Sequence, residues 1–392
     1  MKAQRRFGLA VSWPRVTAVF LIDVAVLAVA SHCPDTWQTH HIAWWAGVGI
    51  AVLITVAALL SYRGIPVTSA PVARLRNWYT DPAAMLAGCT PAIDHRRRFG
   101  RDVVGVREYR GQLVAVIAVE GPVGVPSGRH RERPAPAVGL PVGTIASALR
   151  QFDVRLDGID IVAVEARRVD SGVAAAVRDD FGKHGDASAG HQRRVWLVLR
   201  MDPQRNVAAT AARDSVASTV AAAAERLADD LDGPRCTART LNADQIADVD
   251  EAVLAGLDPA SIAPYWRHLK HPGGFVTSFW VSPADITAET LEQLWEPDTD
   301  ATVVTLRLEA RRGGADVSVW VRYHSRERLP KELCRGLNRL AGRQLTAVAA
   351  SLPAPTSGPR LVMPRRPLRA DEHLEMPLGT APHDVAVAGR HR

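Results

Sequence analysis

The sequence predicts an α/β protein: an N-terminal two-helix transmembrane hairpin followed by a cytoplasmic mixed α/β domain. Three observations predict it. Two apolar runs, at 14–31 and 42–62, each approach the roughly 20 residues that cross a bilayer as a helix. Trp13, Trp37, Trp44 and Trp45 crowd around those runs, and tryptophan in that setting marks a membrane interface. Beyond residue 100, short β-branched stretches alternate with Ala- and Leu-rich helical ones, the pattern of sheet and helix packed together.

The hairpin comes first. Between the two runs lies HCPDTWQTHH, a short polar loop without Lys or Arg. Lys2, Arg5, Arg6 and Arg15 precede the first run, and Arg63, Arg74 and Arg76 follow the second. Basic residues stay on the cytoplasmic side, so both termini are expected in the cytoplasm and the loop at about 32–41 in the periplasm. Ala28-Val29-Ala30 after a basic start also fits a signal-peptide cleavage site, but Asp23 in mid-run argues against it. A carboxylate there costs roughly 2.5–3.5 kcal/mol in lipid, so Asp23 is expected to face protein. With no basic residue in the second span, an intramembrane contact to a neighbouring subunit is favoured over a proton relay. His32, His40 and His41 are read as surface residues.

Four segments are expected: the hairpin at 1–65, a juxtamembrane linker at 66–100, the α/β domain at 101–352 and a Pro- and Arg-rich, poorly ordered tail at 353–392. Within the domain, DVVGVREY and QLVAVIAVE read as a hairpin around Arg110-Gly111. ASALRQFDV reads as a short helix, DIVAVEARR and RVWLVLRM as strands, and NVAATAARDSVASTVAAAAERLADDLDGP as one long helix. NADQIADVDEAVLAGL is a helix with Asn242 as N-cap. FVTSFWVS is a strand, ITAETLEQLW a helix, and TVVTLRLEARRGGADVSVWVRYH a second hairpin. PKELCRGLNRLAGRQLTAVAASL is a final helix with Pro330 in its first turn. VWLVLRMDPQRN and VSVWVRYHSRER each lead from a strand through a basic turn into a helix. That likeness suggests two related β-hairpin-plus-helix halves.

Composition narrows the function. The chain of 392 residues carries a net charge of +7, with 47% hydrophobic residues. A packed core is affordable, and an anionic partner is implied, either nucleic acid or a headgroup surface. Cys33, Cys89, Cys236 and Cys334 are far apart, which reads as scattered thiols in a reducing compartment rather than a disulfide framework or zinc site. The sequence has no GxxxxGK[ST], so it is no P-loop motor by itself, and it has no GxSxG or HExxH. Asp157, Asp160 and Asp170 flank a strand, but DGID lacks the Asp-x-Asp spacing of a sugar-nucleotide transferase. His268 and His271, three apart in YWRHLKHPGG, have no acid or thiol beside them to complete a metal site. No catalytic residue, cofactor or metal ligand is assigned. The densest charge cluster is IDHRRRFGRD at 93–102. Its basic residues are interleaved with Asp94 and Asp102, which disfavours nucleic acid. Arg96, Arg97, Arg98 and Arg101 are expected to dock on a neighbouring subunit or on lipid headgroups.

The basic start and two-span hairpin, CTPAIDHRRRFGRDVVGVREY, WLVLRMDPQRNVAA, and WRHLK followed by TSFWVSPADIT together resemble the EccE family of mycobacterial type VII (ESX) secretion systems. The likeness runs from Met1 to about Pro355 and is nearest to the branch belonging to the ESX system that exports PE and PPE proteins. It implies a non-enzymatic subunit of an inner-membrane complex built with EccB, EccC and EccD and stabilised by the MycP protease. In such a complex EccC, not EccE, carries the ATPase motor, which agrees with the missing phosphate loop. A membrane-anchored, glycosyltransferase-like enzyme is the alternative expectation.

Overall fold

The computed structural model describes residues 7–9, 13–32, 42–62, 65–66, 79–86, 90–98, 100, 102–121, 139–166, 192–330, 332–354, 361–369 and 371–378. They fall into two units: Met1–Thr80 with Ala341–Arg343, and Asp81–Leu340 with Gln344–Arg392.

In the first unit, α1 (Trp13–Ser31) and α2 (Ile42–Leu59) pack against each other in antiparallel fashion. Ala43, Gly47, Ala51 and Ala58 are the buried residues of α2. The first three recur every four residues and let the backbones approach. A Cβ on Gly47 would sit 2.6 Å from the Ala30 Cβ. The outward faces carry Phe20, Ile50 and Leu53, all exposed. α2 is long and apolar enough to cross a membrane, with mean hydropathy 2.2, whereas the apolar helical stretch of α1 is shorter, Val16–Ser31. The second run was expected to stay helical to residue 62. Instead Leu60–Tyr62 is a short strand pairing with Phe7–Leu9 and Ile65–Pro66.

The second unit is mixed α/β and built on one antiparallel sheet. Its main strands are β1 (Ile93–Arg96), β2 (Val103–Tyr109), β3 (Gln112–Glu120), β4 (Gly158–Ala166), β5 (Gln192–Met201), β6 (Thr237–Thr240), β7 (Leu269–His271), β8 (Gly274–Trp280), β9 (Ala301–Arg311) and β10 (Gly314–Ser325). The order across the sheet is β1-β2-β3-β5-β4-β9-β10-β8-β7, with β6 added beside β3. The β2–β3 turn lies at Arg110-Gly111, with φ of 55° and 73°, the paired positive values of a type I′ hairpin. Strand residues alternate between two apolar layers. One holds Ile117, Ile161, Leu197, Leu306 and Val319 under α3 (Val216–Leu231). The other holds Val116, Val162, Val198 and Val303 under α4 (Ala243–Leu254) and α5 (Gln344–Ser351).

The strand order is the same read from either side of the β4–β9 pair. Val162 faces Thr305 there. One strand outward, Trp196 faces Val162 and Ala118, while Trp320 faces Thr305 and Trp280. The tryptophans occupy corresponding positions. Leu241 N–H donates to Val116 C=O at 3.0 Å, and Leu340 N–H donates to Ser278 C=O at 3.0 Å, again at matching places. α4 therefore corresponds to α5. The sequence pairing of α3 with α5 is corrected: α3 lies on the opposite face and is an extra element of the first half.

Several expected boundaries move. The long helix at 206–234 is broken into Val207–Ala211 and α3, because Ser215 caps α3 by accepting from Ser218 N–H at 3.0 Å. The final helix shrinks to α5, since Gly336 and Gly342 take φ of 93° and 73°, outside helical geometry. The helix expected in ASALRQFDV lies earlier, at Val142–Ser147, and Arg150–Gln151 pairs with Val154–Arg155 as a tight hairpin. Asn242 does cap α4, in a reciprocal capping box with Gln245. The linker expected at 66–100 contains β1 and the helix Pro82–Leu86, whose Met85 and Leu86 are buried. The tail expected to be poorly ordered places Leu374, Met376 and Leu378 in the core, with Glu375–Pro377 pairing to Gly139–Pro141.

Candidate functional site

The charge cluster at 93–102 is mostly structural wiring. β1 is a short edge strand, so alternate residues reach α3 and α4 on opposite faces. Asp94 accepts from Ala243 N–H at 2.7 Å, an anion at the N-terminus of α4. His95 Nε2 meets Ser218 Oγ of α3 at 2.8 Å. Arg97 donates to Glu225 of α3. Arg96 is exposed, Arg98 makes an interaction of its own, and Arg101 lies outside the described residues. The four arginines are thus not one free patch; Arg97 is committed to the fold.

A cleft of about 430 Å³ opens at the end of the central strands, lined by Tyr109, Gln112, Asp157, Asp160, Arg200 and Arg307 among others. Asp160 is buried and accepts from Arg307 Nε at 2.7 Å and Arg200 Nη2 at 2.7 Å. Burial pushes the Asp160 carboxyl up, but the two guanidinium groups more than offset it and hold it at about 2. Both arginines also cap α5. Arg200 Nη1 donates to Pro353 C=O at 2.9 Å, and Arg307 Nη2 to Ala350 C=O at 3.3 Å. Cations at a helix C-terminus complement its dipole. Asp157 accepts from Gln112 at 2.7 Å and from Arg205 at 2.8 Å. The structure thus brings Asp157 and Asp160 to one cleft and uses both in ion pairs and hydrogen bonds; Asp170 lies outside the described residues. Sequence reasoning missed Arg200 and Arg307 as the partners of Asp160. The available signal was three charges, each interrupting an apolar strand.

His268 and His271 are not on a helix. His268 stacks on Tyr265, with ring centroids 5.1 Å apart, and His271 ends β7 beside the turn to β8. Among the described residues no group of three or more His, Cys, Asp or Glu is arranged to hold a metal ion. Cys236 and Cys334 are free and buried, and burial raises both thiols; Cys33 and Cys89 lie outside the described residues.

In the helical unit, Asp23 of α1 accepts from Thr55 Oγ1 of α2 at 2.6 Å. Its other carboxylate oxygen is buried without a hydrogen-bond partner. The sequence reading looked for a basic partner and overlooked the threonine.

Comparison with known proteins decides the family. Over 393 residues, and 97% of each chain, the sequence is 58% identical to "ESX-5 secretion system protein EccE5" of Mycobacterium tuberculosis (strain ATCC 25618 / H37Rv). The chain belongs to the EccE family. It is also 57% identical over 390 residues to "ESX-5 secretion system protein EccE5" of Mycobacterium marinum (strain ATCC BAA-535 / M). A more distant EccE relative, "ESX-2 secretion system protein EccE2" of Mycobacterium tuberculosis (strain CDC 1551 / Oshkosh), is 27% identical over 218 residues, 55% of this chain and 39% of that one. The family described as "Putative type VII ESX secretion system translocon, EccE" matches residues 189–281, which include β5, α3, β6, α4, β7 and β8. EccE proteins are components of type VII secretion, so the glycosyltransferase-like alternative is withdrawn.

Proposed function

We propose that this chain is a non-enzymatic assembly subunit of an ESX translocon in the inner membrane, of the kind that exports PE and PPE proteins. The observation that carries the reading is the identity, end to end, with proteins named for the ESX-5 secretion system. The geometry supports it: Asp160, one of the acids that suggested chemistry, is bonded to two arginines that cap a helix, and Asp157, the other, is held by Gln112 and Arg205. α1 and α2 serve as a two-span anchor with both termini cytoplasmic and the 32–41 loop periplasmic, and the large unit projects into the cytoplasm. The partners are EccB, EccC, EccD and the MycP protease, with lipids around the anchor and no nucleic acid. Asp23, whose second oxygen has no partner within the hairpin, meets a neighbouring subunit's helix. Arg96, with Arg98 and Arg101, docks on a neighbour or on headgroups, while Arg97 braces β1 against α3.

Deleting the gene for this chain and assaying culture filtrate for PE and PPE proteins tests the proposal. Export lost on deletion and restored by the intact chain is expected. Unchanged export in the deletion strain would remove the reading.

A further inference from the structure

The hairpin Arg150–Gln151/Val154–Arg155 breaks three local rules at once. Its two-residue loop begins with Phe152 at φ 53°, a left-handed position where glycine is favoured in such turns and a bulky residue is strained. The Phe152 ring is 88% exposed, although burial is what an aromatic ring gains from folding. Arg150 and Arg155 are directly opposite each other and both exposed, a like-charge cross-strand pair that costs stability. Local conflicts of this kind concentrate at functional positions.

The hairpin is nevertheless firmly held. Gln151 Nε2 donates to Ala223 C=O at 3.1 Å. Arg155 N–H donates to Asn206 Oδ1 at 2.7 Å, and Asn206 Nδ2 donates back to Arg155 C=O at 2.9 Å. Arg213 grips both oxygens of Asp153, at 2.7 and 2.9 Å. These ties fix an outward-pointing ring on a rigid base, the preorganisation that lowers the ordering cost of binding. Around it lie the Arg226 guanidinium, 5.4 Å from the ring centroid, and Val207, 65% exposed and adjacent in sequence to Asn206. An aromatic anchor beside arginines is the composition of a binding hot spot.

Charge selects the partner. The hairpin presents two exposed arginines that form no ion pair among the described residues, so its complement is acidic. A lipid surface is the poorer match. Asp153 shares the two-residue tip with Phe152 and keeps a 44% exposed side chain despite its pair with Arg213, so a carboxylate would enter an anionic headgroup layer together with the ring. A protein can place acids over Arg150 and Arg155 and leave Asp153 uncovered. We infer that the Arg150–Arg155 hairpin is a docking element: Phe152 enters an apolar pocket on another protein subunit, and Arg150 and Arg155 pair with acidic side chains at that pocket's rim. The inference rests on the reading of the chain as an assembly subunit and assigns it a contact surface.

The test uses the full-length tagged chain in mycobacterial membranes, with a photoreactive benzophenone amino acid at position 152. Crosslinked peptides are identified after mild-detergent purification. The expected product joins position 152 to an acid-rich segment of another subunit. Phe152→Gly should leave the thermal midpoint unchanged or raised, yet reduce recovery of that subunit roughly tenfold; Arg150→Glu with Arg155→Glu should reduce it similarly. Crosslinks only to lipid, only within the chain, or none would overturn the inference. So would a lowered midpoint in Phe152→Gly, which would make the ring a structural element, or full recovery of partners by both variants. If the unmodified chain itself recovers no other subunit, the assembly reading falls and this inference with it.

Discussion

Buried charge in this protein is spent on holding helix ends. Asp160, Arg200 and Arg307 join three adjacent strands, β4, β5 and β9, to the C-terminus of α5. Removing the acid leaves two largely buried guanidinium groups facing each other, so Asp160→Asn should destabilise the fold by about 3–5 kcal/mol, read as a loss in thermal midpoint without change in membrane insertion. Arg322 is a second case. It is buried, donates to Val253 C=O near the end of α4, and desolvation lowers it to about 9. Beside it His324 is held well below the ordinary histidine range, by burial first and then by the Arg322 and His271 charges. The unfolded chain takes up that proton near pH 6.5 while the folded one resists. Stability from this residue is therefore present above about pH 6.5 and declines below it, by up to about 1.4 kcal/mol per pH unit. His324→Leu should flatten the dependence between pH 7 and 5 in a denaturation series. Some slope should remain, because His268 and His271 are lowered in the same direction.

Elements with a strong local code were readable in the sequence: the hairpin around Arg110-Gly111, the Asn242 cap, and the main strands of the sheet. Elements decided by tertiary contact were not. β1 carries polar side chains at all positions after Ile93, which reads as a linker until Asp94, His95 and Arg97 are seen reaching two different helices. Leu374, Met376 and Leu378 sit among Pro, Arg and His residues, so composition hid an alternation that buries all three. The two halves were legible as a likeness, but only pairing register shows that α4, not α3, is the counterpart of α5. One glycine tests how closely these elements fit. A Cβ on Gly105 would lie 2.6 Å from the Asn242 carbonyl carbon, and its N–H donates to Leu241 C=O at 2.7 Å. Gly105→Ala should push the start of α4 from the sheet and cost about 1–3 kcal/mol, with increased amide exchange at the N-terminus of α4 as the local signature.

At the scale of the molecule, the candidate chemistry dissolved into architecture while docking features remained. The Asp157–Asp160 cleft is bonded internally, the histidines at 268 and 271 stack and turn, and Arg97 is taken by Glu225. What faces outward is an exposed arginine on an edge strand and a rigid hairpin with a strained phenylalanine at its tip. Within the helical pair, one oxygen of Asp23 is left over after Thr55 takes the other. Such residual polarity suits a subunit whose role is to be held by others. The most direct measurement is purification of the full-length chain from mycobacterial membranes in mild detergent, through a tag on this chain, with identification of the proteins that accompany it. The account predicts a large complex containing EccB, EccC and EccD. Recovery of this chain alone, as a monomer, would contradict it.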